Sequence, residues 1–275
     1  MPAWRTRGFA LLSGFIAALG LAPFGMWPVA LAGLAVVFTL HQSALTRREA
    51  ALTGWFAGLG YFAFALVWIV EPFFIEPWKH GWMAPFALLL MSGGLALFWG
   101  VASAAAYKRG ALTWAAALAV AELARSYLFT GFPWALIGYL WSETPLAIYA
   151  SFLGSHGLTL LTLAFAAALG AGLTGARLLP AAALTALITA YLAAAPLSQT
   201  PAIATTAPTV RLIQPNAPQH EKWDPDKIGI FYSRQLLFTG AEPDPKLGVF
   251  VNRLYLQHSF CAPLFSLIIL PYCIL

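Results

Sequence analysis

From near the N-terminus to about residue 196 the chain is a succession of long apolar segments with almost no charge inside them. A chain so built has one natural solvent, the bilayer. Of its 275 residues 60% are hydrophobic and only 9% are charged, against roughly a quarter charged in soluble domains. So few charges cannot cover a water-soluble surface at this length. A spanning helix needs about 20 mostly apolar residues, and about seven segments are candidates, the first two of them short: 8–22, 26–42, 50–70, 82–107, 111–128, 149–174 and 178–196. The first two are separated by Ala-Pro-Phe-Gly-Met-Trp-Pro, whose Pro23, Gly25 and Pro28 dictate a tight hairpin. The N-terminal run reads as a membrane helix rather than a cleaved leader, because no small-residue cleavage site is followed by a polar start.

Orientation follows from Lys and Arg in the short connections. Arg5 and Arg7, Arg47 and Arg48, Lys108 and Arg109, and Arg177 all fall on one side of a seven-span arrangement. Glu71, Glu76, Lys79 and Glu143 fall on the other. The N-terminus is therefore expected in the cytoplasm and residues after about 197 outside it, which in a bacterium is the periplasm. Residues 1–196 form the membrane domain and 197–208 a linker of small polar residues and proline. In Thr-Val-Arg-Leu-Ile-Gln (209–214) apolar and polar positions alternate, as in a strand. A loop follows, then a helix over 227–240, and a second strand over 247–251. The fold class is thus mainly α: a polytopic helix bundle followed by an incomplete extracytoplasmic α/β segment over 209–246, with a divergent apolar tail over 247–275.

Chemistry-bearing residues are few. Glu122 and Arg125 are the opposite charges inside an apolar segment, and at i, i+3 they share a helix face. Two roles fit them: a polar grip on a lipid headgroup, since charges inside a membrane are commonly functional, or a pair that neutralises itself near the outer end of the helix. Thr-Gly-Phe-Pro-Trp (130–134) follows at once. Phe132 and Trp134 suit an interfacial aromatic belt, and the proline among them indicates a shaped loop. Glu-Pro-Phe-Phe-Ile-Glu-Pro-Trp-Lys-His-Gly-Trp (71–82) has the same character. His156 reads as a helix–helix hydrogen-bonding residue, and His220, Glu221 and Lys222 as solvated loop groups. The five histidines are scattered, and both cysteines, Cys261 and Cys273, lie in the tail. No metal site, disulfide framework, GxSxG, HExxH or phosphate-binding loop is present in the sequence. No cofactor or nucleic acid is implied, and the oligomeric state is not set.

Four stretches together carry a family resemblance. Leu-Ala-Pro-Phe-Gly-Met-Trp-Pro resembles the first hairpin of apolipoprotein N-acyltransferases, and Gly-Trp-Phe-Ala-Gly-Leu-Gly-Tyr their third helix. Glu-Leu-Ala-Arg-Ser-Tyr-Leu-Phe-Thr-Gly-Phe-Pro-Trp (122–134) is similar to their membrane motif. Val-Arg-Leu-Ile-Gln-Pro-Asn-Ala-Pro-Gln-His-Glu-Lys-Trp (210–223) is similar to the start of their periplasmic nitrilase-like domain. The match runs from about residue 8 to 240. It implies transfer of an acyl chain from a phospholipid donor to the N-terminal diacylglyceryl-cysteine of a lipoprotein acceptor. In the family a Glu-Lys-Cys triad does this. A thiolate attacks the ester with Glu as general base and Lys at the oxyanion, and the lipoprotein amine resolves the thioester, so two half-reactions alternate.

The resemblance also implies a substrate-handling role for Trp223, the tryptophan of the Lys-Trp pair. Where the family carries Trp-Pro-Glu, this sequence reads Gly-Val-Phe-Val-Asn-Arg-Leu with Asn252 and Arg253. No triad member is carried over, Cys261 and Cys273 included, so these residues are expected to be inactive alone. The abrupt end of the resemblance near Lys246 reads as a truncated or shifted reading frame. The candidate substrate-binding residues are Trp223, Arg125, Glu122, Phe132 and Trp134. The alternative reading is a small membrane transporter or a lipid-binding membrane protein. Against a transporter stand the lack of inverted repeats and the single intramembrane pair.

Overall fold

The computed structural model describes residues 3–129, 131–176, 178–197, 216–218, 221 and 224–240. These are α-helical, with 3₁₀ turns and irregular connections and, among the described residues, no strand. Two compact units are present, residues 1–67 with 87–199, and residues 68–86 with 200–275.

The first unit opens with α1 (Ala3–Ala18) and α2 (Trp27–Gln42), joined by the tight turn the prolines predict. Pro28 sits in the first turn of α2, where a missing N–H costs nothing. In α3 (Arg47–Ala65) Thr46 is the N-cap: its hydroxyl accepts from Glu49 N at 3.1 Å, while Glu49 Oε2 accepts from Leu45 N at 2.8 Å. This is close to a reciprocal capping box. The helices of this unit approach one another through small residues. A Cβ at Gly14 would stand 1.9 Å from Ala57 O, and one at Gly60 2.0 Å from Leu11 O, so backbone meets backbone between α1 and α3. Such close approach is the usual means of packing helices where lipid competes equally for apolar surface.

Further along are α5 (Ala84–Ala105), α6 (Ala111–Tyr127), α7 (Ala150–Leu173) and α8 (Leu178–Leu197). Preceding α5, in the second unit, is the single-turn α4 (Pro77–His80). α7 is kinked at Gly154, where φ is 67°. Tyr107 Oη donates to Leu45 O, and His41 Nε2 lies 3.4 Å from Ala106 O. The α2–α3 and α5–α6 connections therefore meet, bringing Arg47, Arg48, Lys108 and Arg109 to one end. At the other end Trp27 packs on Trp141 at 5.4 Å and Phe24 on Phe64 at 5.5 Å. Glu143 belongs to that end, its Cγ 3.9 Å from where a Cβ would stand on Gly25.

The second unit contains the 3₁₀ turn Val67–Phe74 from residue 68, then α4 and the turn Gly81–Met83. It also holds α9 (Pro225–Gly240), which covers the predicted helix over 227–240 and begins on a proline. Trp78 and Trp82 are exposed, and Trp82 Nε1 donates to Lys79 O at 3.0 Å.

Helices occupy all the places where the sequence predicts spans, but their lengths differ from the prediction. Among the described residues three helical stretches are long and apolar enough to cross a membrane: Pro77–Ala105, Pro145–Leu173 and Leu178–Leu197. Arg47–Ala65 with Val67–Phe74 makes a further one if counted as a single broken span. α1, α2 and α6 have 16, 16 and 17 residues, below the usual 20. Several predicted segments, 50–70, 82–107 and 149–174 among them, are longer than their helices because they run into turns. The 50–70 segment is helical only to Ala65, and Pro72 then lies in a 3₁₀ turn, since proline can neither donate nor clear the preceding carbonyl of an α-helix. The predicted strands at 209–214 and 247–251, the apolar tail and Trp223 lie outside the described residues.

Candidate functional site

The candidate site is a buried charge cluster at one end of α6 and the loop that it holds. Glu122 and Arg125 are fully buried, with side chains 0% exposed. Their i, i+3 spacing allows a two-point contact: Arg125 Nη2 donates to Glu122 Oε2 at 2.6 Å and Nε to Oε1 at 3.0 Å. From α5, Trp99 Nε1 donates to the same Oε1 at 2.8 Å. Arg125 Cζ lies 5.0 Å from the ring centroid of buried Phe62 on α3, a cation–π contact in a desolvated place. Such a pair is tolerable inside apolar surroundings only if its remaining donors and acceptors are also paired.

They are, and the partner is the loop. Arg125 Nη1 donates to Phe132 O at 2.5 Å and to Trp134 O at 2.8 Å, and Nη2 to Ala135 O at 3.1 Å. Tyr61 Oη, from α3, also donates to Ala135 O, at 3.2 Å. The loop closes back on α6, with Phe132 N donating to Arg125 O at 2.9 Å. Its backbone is contorted. Phe129, Gly131 and Ala135 have φ of 51°, 81° and 55°. Glycine is required at 131, where a Cβ would stand 2.4 Å from Ser126 O. The Phe132 and Trp134 rings are 5.2 Å apart; Phe132 is half-buried, while Trp134 is 36% exposed and Phe129 89%. Beside the loop an apolar groove of about 940 Å³ runs between α5 and α6, lined by Leu90, Gly94, Val101, Val120, Ala124 and Phe129 among others.

Of the residues singled out in the sequence, Glu122, Arg125, Phe132 and Trp134 come together here. Trp223 lies outside the described residues, as do His220 and Lys222. Glu221 forms an ion pair with Lys227 at 2.7 Å, and this hydrogen bond is the main reason the Lys227 ammonium has a raised pKa. His156, just past the α7 kink, lies 6.4 Å from the Tyr127 ring. Sequence reasoning did not find Trp99, Tyr61 and Phe62, which complete the cluster. Each reaches it from another helix, and no local spacing marks an aromatic in an apolar segment as a donor.

A family model described as the N-terminal domain of apolipoprotein N-acyltransferase matches residues 13–168. The chain is similar to the apolipoprotein N-acyltransferase of Caulobacter vibrioides, 36% identical over 239 residues that cover 82% of this chain and 44% of that protein. It is also similar to that of Bordetella bronchiseptica, 34% identical over 281 residues covering 89% and 50%. With that of Rhodopseudomonas palustris it shares 34% identity over 177 residues, covering 58% and 32%. The chain thus spans about half the length, or less, of the curated relatives it matches.

Proposed function

Because the chain belongs to the apolipoprotein N-acyltransferase family, we propose that it serves the transfer of an acyl chain from a phospholipid to the N-terminal diacylglyceryl-cysteine of lipoproteins. Its own part is to hold the phospholipid donor beside the aromatic loop. The observation that carries this reading is the juxtaposition of two paired aromatic rings, half-buried Phe132 and exposed Trp134, with a loop backbone fixed by a buried cation. Phe132 and Trp134 meet the donor, Glu122 and Arg125 shape the loop that presents them, and Trp223 handles substrate at the start of the nitrilase-like segment. The transfer chemistry itself, through a cysteine thioester with Glu and Lys assisting, is proposed for the enzyme as a family. No residue of these 275 is assigned to it.

The protein is read as multi-pass in a bacterial inner membrane, with seven spans over 1–196, a linker over 197–208, a nitrilase-like segment from 209 to 246 and a tail to 275. The N-terminus is cytoplasmic and residues after about 197 are periplasmic. Support comes from the meeting of the basic connections through Tyr107 and Leu45, with Glu143 at the opposite end.

Photo-crosslinking tests the lipid-facing role. The chain is reconstituted with a phospholipid carrying a diazirine in one acyl chain. Adducts are expected to concentrate on the peptide containing Phe129–Trp134, well above the level on α8, which buries only Ala194 and so reports ordinary lipid contact. Adducts on α8 with none on the loop would refute the reading.

A further inference from the structure

We propose that Arg125 is a positioning residue, spent on the backbone of the aromatic loop, and that it does not bind the lipid headgroup. The inference rests on the reading above only in taking the loop as lipid-facing. A guanidinium has five N–H donors and no acceptor. Nε donates to Glu122 Oε1, Nη2 to Glu122 Oε2 and Ala135 O, and Nη1 to Phe132 O and Trp134 O. All five are used inside the protein, and the residue is 1% exposed. A phosphate or carboxylate could reach Arg125 only by displacing a loop carbonyl or Glu122.

The geometry also says why arginine is needed. Three carbonyls of one loop, those of Phe132, Trp134 and Ala135, converge on one planar group. A lysine ammonium is a compact point charge and cannot present donors across that span. Two further side chains hold the same parts from other helices. Trp99 fixes the carboxylate that orients the guanidinium, and Tyr61 makes a second bond to Ala135 O. The loop is therefore held from α3, α5 and α6 together, with Phe129 and Ala135 kept in left-handed conformations that non-glycine residues avoid.

Two measurements on the full chain test this. The first is amide hydrogen exchange in phospholipid nanodiscs, comparing the unsubstituted chain with Arg125→Lys and with Arg125→Met/Glu122→Gln. The double variant leaves no unpaired buried charge and keeps an acceptor for Trp99. Both are expected to speed exchange at Gly131 and Phe132 by about tenfold or more, the weight of one charge-assisted hydrogen bond, while α1 to α3 exchange as before. Loop exchange within about twofold of the unsubstituted chain in both variants overturns the proposal.

The second measurement needs no variant to fold. Arginine-selective ¹⁵N spectra are recorded in phospholipid nanodiscs and in maltoside micelles, which contain no phosphate. The guanidinium with the slowest-exchanging protons should keep its Nη resonances in both. Loss or shift of those resonances when phosphate is withdrawn would mean headgroup contact and overturn the proposal. Neither readout depends on acyl transfer or on crosslinking. A loop that is held but never crosslinked would sink the lipid-facing reading and leave the role of Arg125 standing.

Discussion

Arg125→Ala should destabilise the helical unit by about 3–5 kcal/mol, the cost of removing one partner of a buried ion pair. The reason is what remains. Glu122 is left with 0% exposure and only Trp99 Nε1 among its side-chain donors in the cluster. At the same time the carbonyls of Phe132 and Trp134 lose their guanidinium donors in a contorted loop. Arg125→Met/Glu122→Gln should cost distinctly less than Arg125→Ala, because a neutral pair leaves no stranded charge. Unfolding in mixed micelles of mild and denaturing detergent measures both. If the single variant lost less than about 1 kcal/mol, the range of an exposed pair, the carboxylate would have to be reached by water, and the buried-cluster description would be wrong.

Gly60→Ala should destabilise as well, against the ordinary sign of such a change. In a helix interior alanine is favoured over glycine by about 1 kcal/mol. At Gly60, however, the new methyl would stand 2.0 Å from Leu11 O and 2.9 Å from Leu11 C, both backbone atoms of α1. The two helices must separate, and overpacking of this kind costs about 1–3 kcal/mol, more when backbone has to move. Gly94→Ala in α5 is the control, because nothing lies within 4 Å of its added Cβ and it should be neutral or stabilising. The same micelle titration decides. A stabilised Gly60→Ala chain would mean that α1 and α3 do not meet through Gly60.

Much of this was legible in the sequence, for reasons that also mark where legibility stops. The apolar segments place the helices, because low charge over such lengths leaves few other structures. Pro23, Gly25 and Pro28 place the first turn, and the i, i+3 spacing of Glu122 and Arg125 predicts their pairing. The purpose of that pairing was not legible. The two roles open for Arg125, headgroup grip or self-neutralisation, both leave out the three carbonyls it holds, because a backbone acceptor has no signature in a sequence. Trp99 and Tyr61 were invisible for a related reason: their hydrogen bonds cross 23 and 74 residues of chain. The extent of the spans was overestimated where a helix such as α3 gives way to a 3₁₀ turn without any loss of apolar character.

The most direct test of the central claim, that this unit performs the membrane part of lipoprotein N-acylation, is a chimera. Residues 1–208 of this chain are joined to the C-terminal part of the Caulobacter vibrioides relative and expressed in cells depleted of their own acyltransferase. Restored growth with triacylated lipoprotein is the expected result, with Arg125→Lys in the same chimera reducing it and residues 1–275 alone leaving lipoproteins diacylated. A chimera that inserts in the membrane at normal abundance but leaves lipoproteins diacylated would contradict the account.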